Sequence, residues 1–165
     1  CAIALRKIPE CNSSWLENGM VRNYHSVDIS IAVAIKDGLV TPIIKNADNL
    51  GLGEISKLSR SLANKAREEP MGLAPEEYQG GSFSISNLGM YGVKDFQAVI
   101  NSPQAMIMAV GAADKRPIVK DDAIAVATTM NCTLSVDHRV VDGAKAAEFL
   151  SVFKSLIEDP LSMLL

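Results

Sequence analysis

Aromatic side chains are scarce in this chain of 165 residues, which has one tryptophan, three tyrosines and four phenylalanines. Yet 48% of the residues are apolar, so a core must be assembled from Ile, Val, Leu, Ala and Met. Cysteine occurs three times, at Cys1, Cys11 and Cys132, an odd number without Cys-x-x-Cys spacing. That argues against a disulfide framework and a zinc site, and for a reducing compartment. The formal net charge is −3 and the lysines and arginines are dispersed, so no basic face invites nucleic acid. No apolar run approaches the roughly 20 residues of a membrane span, and neither an internal repeat nor a low-complexity segment is found. This length suits one domain with a sizeable core.

Periodicity predicts a mixture of short elements. Ala2, Ile3, Ala4, Leu5 and Ile8 read as the second half of a helix with no cap and no start methionine, so the chain is expected to be part of a longer protein. Pro9 to Gly19 reads as a connection. Tyr24 to Ile35 alternates and is rich in β-branched residues, which predicts one long strand. Lys36-Asp37-Gly38 is a hairpin signal, and Leu39 to Lys45 forms a second strand in which Pro42 predicts an edge or an irregularity. After a polar loop over 46–53, Ile55, Leu58, Leu62 and Ala66 mark one helical face opposite Lys57, Arg60, Lys65 and Arg67. The charges from Lys65 to Glu69 form the solvated end of that helix. Pro70 to Gly81 is irregular, Ser82 to Ser86 a strand, and Gly89 and Gly92 mark a tight turn. Ala105 to Gly111 is a buried strand, and Ala123 to Asp137 holds one or two more. The last helix begins near Gly143, buries Ala146, Phe149, Leu150, Phe153 and Ile157, and ends at Pro160. Mixed strands with a few helices predict an α/β or α+β layer fold.

Two blocks carry the chemistry. In Leu134-Ser135-Val136-Asp137-His138-Arg139-Val140-Val141-Asp142-Gly143-Ala144, one of only two histidines stands where an apolar strand gives way to a helix. Such a turn holds a side chain rigidly while leaving it open, and histidine titrates where proton transfer at neutral pH needs it. By itself the block reads equally as a polar turn, with Asp142 capping the helix and Gly143 easing the bend. The second block is Gly80-Gly81-Ser82-Phe83-Ser84-Ile85-Ser86-Asn87-Leu88-Gly89-Met90-Tyr91-Gly92.

Together the blocks resemble the catalytic domain of dihydrolipoamide acyltransferases, the E2 core subunits of 2-oxo-acid dehydrogenase complexes. The match continues through Val27-Asp28-Ile29-Ser30, Gly38-Leu39-Val40-Thr41-Pro42-Ile43, Lys65-Ala66-Arg67-Glu68, Ile100-Asn101-Ser102-Pro103-Gln104-Ala105 and the terminal Met163-Leu164-Leu165. It covers nearly the whole chain in order. Ile85-Ser86-Asn87-Leu88-Gly89-Met90 looks like the pyruvate-complex, acetyl-transferring type. Members of this family begin their catalytic domain some tens of residues earlier, with lipoyl and subunit-binding domains further upstream. Residues 1–165 are therefore expected to be that domain without its first segment.

The resemblance implies a chloramphenicol-acetyltransferase-like sandwich, a mixed sheet flanked by helices, assembled as homotrimers within a larger multi-trimer core. It implies acetyl transfer between dihydrolipoamide and coenzyme A, with acetyl-CoA and lipoamide as substrates and no metal. It makes His138 the general base that deprotonates a thiol, Ser86 a donor to the tetrahedral oxyanion, and Asp142 a residue that orients the site. It places Ser86, Asn87 and Gly111 against coenzyme A. It also implies that the active site lies between subunits and that Leu161-Ser162-Met163-Leu164-Leu165 inserts into an adjacent trimer. Its partners would be lipoyl domains and the E1 and E3 components, in the bacterial cytoplasm or the mitochondrial matrix, without nucleic acid or membrane. His25 receives no role, and Cys132 reads as a small apolar residue of a strand. Three alternatives stay open on sequence: succinyl or branched-chain specificity, a non-catalytic core scaffold, and a detoxifying acetyltransferase of the chloramphenicol type. The Gly80–Gly92 block disfavours the last.

Overall fold

The computed structural model describes residues 1–163. In chain order these form α1 (Ala2–Lys7), β1 (Ser13–Trp15), β2 (Val21–Asn23), β3 (Ile29–Ile31), β4 (Val33–Ile35), β5 (Gly38–Val40), β6 (Ile43–Ile44), α2 (Leu52–Arg67), β7 (Phe83–Asn87), β8 (Met106–Val110), β9 (Asp114–Lys120), β10 (Ala123–Thr129), β11 (Cys132–Val136) and α3 (Gly143–Glu158). The central sheet runs β11-β8-β7-β3-β6. The β3–β7 and β7–β8 pairs are parallel; β8–β11 and β3–β6 are antiparallel. β1–β2, β4–β5 and β9–β10 are separate two-stranded ribbons. The expected mixed α/β sheet is present, and the buried strand expected over Ala105–Gly111 is β8, flanked by β11 and β7. A strand between two neighbours with both faces covered reads as an uninterrupted apolar run, as Met-Ile-Met-Ala-Val does here.

α3 lies against α1 and β11, while α2 covers β4 and β6. The core is aliphatic, as the composition required, with one aromatic contact at its centre. The ring of Phe83 on β7 meets that of Phe149 on α3 at 5.6 Å between centroids, and both residues are fully buried. Asp142 caps α3: its carboxylate accepts a hydrogen bond from the Lys145 amide at 2.8 Å.

Several boundaries differ from the sequence reading. The single strand expected over Tyr24–Ile35 is two, β3 and β4, broken at Ala32. Residues 24–28 stay outside the sheet because their carbonyls find other donors. The Asn12 amide donates to Tyr24 and Ser26, and the amides of Ser82 and Phe83 donate to the Asp28 carbonyl. Pro42 splits the next strand into β5 and β6, since it has no N–H for the ladder. The connection over 9–19 contains a 3-10 turn and β1. β9 was missed because Asp-Lys-Arg-Pro looks like a loop and its turn to β10 has no glycine; instead Asp121 and Asp122 adopt positive φ, which aspartate tolerates. On α3, Leu156 is buried and Ile157 is 45% exposed, one position off the predicted stripe. Leu58 on α2 is exposed too. At the C-terminal end, Pro160–Met163 makes a 3-10 turn with Leu161 71% exposed; Leu164 and Leu165 lie outside the described residues.

Removing the Phe149 ring leaves Phe83 facing a cavity. Phe149→Ala is expected to lower stability by about 3–5 kcal/mol, read as a shift in the urea midpoint. A loss below about 1 kcal/mol would contradict this packing.

Candidate active site

Alternation on β7 puts Ser82, Ser84 and Ser86 on one face. The first two hydroxyls are used within the chain. Ser82 Oγ accepts from the Asp28 amide at 3.1 Å, and Ser84 Oγ donates to Gln104 Oε1. The Gln104 amide donates onward to Ser30 Oγ at 3.0 Å and to the Gly80 carbonyl at 2.9 Å. This buried network fits only because residue 81 has no side chain: a Cβ there would lie 2.3 Å from Ser30 Oγ and 2.8 Å from Gln104 Nε2. Ser86, third in the row, is half-buried, and among the described residues its hydroxyl has no hydrogen-bond partner. It lines a groove of about 310 Å³ with Leu39, Asn87, Met90 and Tyr91, and a second of about 320 Å³ on the side of Thr41 and Ile107. Next along the strand, Asn87 Oδ1 accepts from the Gly89 amide at 2.8 Å. That fixes the side chain and leaves its NH₂ pointing away from this bond.

Gly111 follows β8 directly, and Val110 pairs with Asn87, so these two candidate residues share one end of the sheet with Ser86. The room a side chain would need at Gly111 is filled by the chain itself. A Cβ would stand 2.2 Å from the Lys94 carbonyl oxygen, and the Gly111 amide donates to the Asn131 carbonyl at 2.9 Å.

His138 opens the turn between β11 and α3 and is exposed. The Asp137 amide donates to the Ala105 carbonyl at 2.8 Å, extending the ladder one step, and the Asp137 carbonyl accepts from the amides of Val140 and Val141. Asp142, four positions on, is occupied as the cap of α3; among the described residues no hydrogen bond joins it to His138. A cleft of about 740 Å³ opens beside the turn, bounded by Trp15, Glu17, Ile100, Pro103, Asp137 and Arg139. Sequence reasoning passed over Asp137, Arg139 and Trp15. Opposite charges on either side of a candidate histidine, in a chain with a single tryptophan, were the available signal.

The strand register separates the two halves. Ser86 pairs with Ala109 on β8, and Ala109 with Thr133 on β11. β7 and β8 are parallel, β8 and β11 antiparallel, so Ser86 stands at the end of the sheet that β11 leaves behind. At about 3.3 Å per residue along a strand and 4.8 Å between strands, His138 lies on the order of 15–20 Å from Ser86. One chain therefore brings together Ser86, Asn87 and Gly111 at one end and His138 with Asp142 at the other, and does not bring the two sets into contact.

No other group competes for the chemistry. Burial pushes the Cys11 thiol up to about 11 and also raises that of Cys132, so both are poor nucleophiles at neutral pH. His25 is exposed, and among the described residues no cluster of His, Cys, Asp or Glu could hold a metal ion. The helix-capping role of Asp142 makes a separate prediction. Asp142→Ala should cost about 1 kcal/mol in thermal unfolding, whereas Asp142→Asn, which can still cap, should cost little. Equal losses in both variants would contradict the cap.

The whole chain, residues 1–165, matches the family 2-oxoacid dehydrogenases acyltransferase (catalytic domain). It is 57% identical over 164 residues to the dihydrolipoyllysine-residue acetyltransferase component of the pyruvate dehydrogenase complex of Rickettsia bellii, covering 99% of this chain and 38% of that protein. A mitochondrial counterpart from Arabidopsis thaliana is 51% identical, with 99% and 30% covered. The chain thus spans well under half the length of these relatives. Among solved structures, the dihydrolipoamide acetyltransferase of Azotobacter vinelandii superimposes with a TM-score of 0.94 at 35% identity, over 100% of this chain and 68% of that one. The cubic core of a pyruvate dehydrogenase multienzyme complex gives 0.94 at 34%, over 100% and 68%. A chloramphenicol acetyltransferase, at 15% identity and a TM-score of 0.51 over 91% of this chain and 70% of that one, shares the fold alone. By fold, by sequence and over its full length, the chain belongs to the 2-oxoacid dehydrogenase acyltransferase family, in the part that forms the catalytic domain.

Proposed function

We propose that this domain transfers an acetyl group between dihydrolipoamide and coenzyme A, within the core of a pyruvate dehydrogenase complex. The observation that carries the reading is the Ser86 hydroxyl at one end of the sheet and the open His138 at the other, each without a side-chain hydrogen-bond partner among the described residues. The Azotobacter vinelandii structure concerns a serine, a histidine and an asparagine in catalysis. Those three stand the same numbers of residues apart as Ser86, His138 and Asp142.

The chemistry follows from the residues. A thiol with an ordinary pKa near ~8.5 is mostly protonated at neutral pH. His138 takes the proton from the coenzyme A thiol as its sulfur attacks the carbonyl carbon of S-acetyldihydrolipoamide. The carbonyl electron pair moves onto oxygen, where Ser86 donates a hydrogen bond to the oxyanion. Collapse breaks the bond to the lipoamide sulfur, which recovers the proton from the imidazolium. The reverse reaction uses the same groups, and no acyl-enzyme is required. Asn87, which lines the Ser86 groove, and neighbouring Gly111 form the coenzyme A end. Asp142, aspartate where the Azotobacter protein has asparagine, holds the turn under His138 by capping α3.

Residues held 15–20 Å apart in one chain act together only if a neighbouring copy closes the gap. We therefore place the site between protomers of a homotrimer, built head to tail so that the ring closes. Such trimers would join into a larger core, with the segment after Pro160 as a contact between them. Lipoyl domains would deliver the acetyl group from E1 and carry the dithiol to E3, in the bacterial cytoplasm or the mitochondrial matrix.

The test is acetyl transfer from acetyl-CoA to dihydrolipoamide by the full-length, assembled protein. His138→Ala is expected to lower kcat by about 10²–10⁴-fold to a small residual rate, and Ser86→Ala to lower kcat by about 10²–10³-fold. Undiminished activity in His138→Ala would refute the base. A folded, assembled parent without activity would make the chain a scaffold, and faster turnover with succinyl or branched-chain acyl-CoA would reassign the acyl group.

A further inference from the structure

His138 has no hydrogen-bond partner of its own among the described residues, yet a base must be aimed. The residues on either side of it are tied to each other. The Arg139 guanidinium grips the Asp137 carboxylate with two forks: Nε donates to Oδ1 at 2.9 Å and NH2 to Oδ2 at 2.7 Å. The Arg139 amide also donates to Asp137 Oδ1 at 3.1 Å. The loop closed in this way contains a single intervening residue, His138. The guanidinium in turn lies over the Trp15 ring, 4.9 Å from its centroid. Trp15 is fixed by its place on β1, where the neighbouring Ser14 bridges to Gln104 and the Ser13 carbonyl accepts from the Ala105 amide. Ala105 is the same residue whose carbonyl takes the Asp137 amide. The turn is thereby clamped to the core from both its backbone and its side chains.

We infer that Trp15, Arg139 and Asp137 are positioning residues that set the direction of the His138 ring. This rests on His138 being the base. Surface ion pairs normally add little, and Arg139 is 61% exposed, so the cluster has small value as a stabilising device. Its bidentate geometry and aromatic backing instead remove freedom from the two residues that bracket His138. A misplacement of about 1 Å in a reacting group can cost 10²-fold in rate, so fixing a turn is worth more to catalysis than to stability. Arg139 holds the Asp137 carboxyl below the usual aspartate range. With the folded value depressed, the clamp is intact at neutral pH and is lost only as pH falls through that lowered value.

The experiment is a double-mutant cycle on acetyl transfer by the full-length, assembled protein. Arg139→Gln is expected to lower kcat roughly 10–100-fold, with KM for both thiol substrates unchanged and assembly retained. Arg139→Lys should recover only part of the loss, because an ammonium cannot form the fork. In a His138→Ala background, Arg139→Gln should cause no further loss in the residual rate, since it acts through a ring no longer present. Trp15→Leu should repeat the pattern, and serves should Arg139→Gln fail to assemble. Losses that multiply across the cycle, a rise in KM with kcat unchanged, or a fall in melting temperature alone would overturn the inference. An active His138→Ala enzyme would overturn the function proposed above, and this inference with it.

Discussion

The antiparallel pairing of β11 with β8 governs everything this domain can do. β7 and β8 run the same way, so β7, which carries Ser86 near its end, and β11, which leads into His138, finish at opposite ends of one sheet. Moving β11 by a residue or two would not change this; only reversing its direction would. β11 and β8 pair continuously from Cys132–Val110 to Val136–Met106, so the separation of the two residues is as secure as that pairing. Within one chain the two residues therefore stay on the order of 15–20 Å apart.

Around that constraint, polar groups are distributed economically. The alternating serines 82, 84 and 86 show the pattern: the first two are engaged by Asp28 and Gln104, and the Ser86 hydroxyl has no hydrogen-bond partner among the described residues. The Gln104 network links β7, β3 and the strand entry at Gly80, with both the oxygen and the nitrogen of the buried amide bonded. The glycines follow the same logic, since Gly81 and Gly111 stand where the chain's own polar atoms occupy the space a side chain would take. At the other edge, Asp142 serves α3 and Asp137 serves Arg139, so the carboxylates near His138 are already engaged.

Much of this was legible beforehand, and the failures have common causes. The buried run of β8, the break at Pro42 and the cap at Asp142 are local signals, and the structure honours them; the stripes of α2 and α3 hold except at Leu58 and Ile157, which are exposed. That residues 24–28 stay outside the sheet was not legible, because the donors their carbonyls find, the Asn12 side chain and the Ser82 and Phe83 amides, lie far away in the sequence. β9 was hidden by Pro117 and by a turn of two aspartates instead of a glycine. The site was legible as two motifs, but their relation was not: period and propensity do not say whether neighbouring strands run parallel. The importance of Asp137, Arg139 and Trp15 emerged only once the fold put a ring beneath a guanidinium.

The claim that most needs testing is that each site draws Ser86 from one chain and His138 from another. Co-expressing Ser86→Ala and His138→Ala subunits, each nearly inactive when assembled alone, tests it directly. In a head-to-tail ring of three, every mixed trimer holds one intact site, so random mixing of equal amounts should restore about a quarter of the parent activity. Mixed assemblies no more active than the two variants alone would mean that both residues must come from the same chain, and would contradict this account.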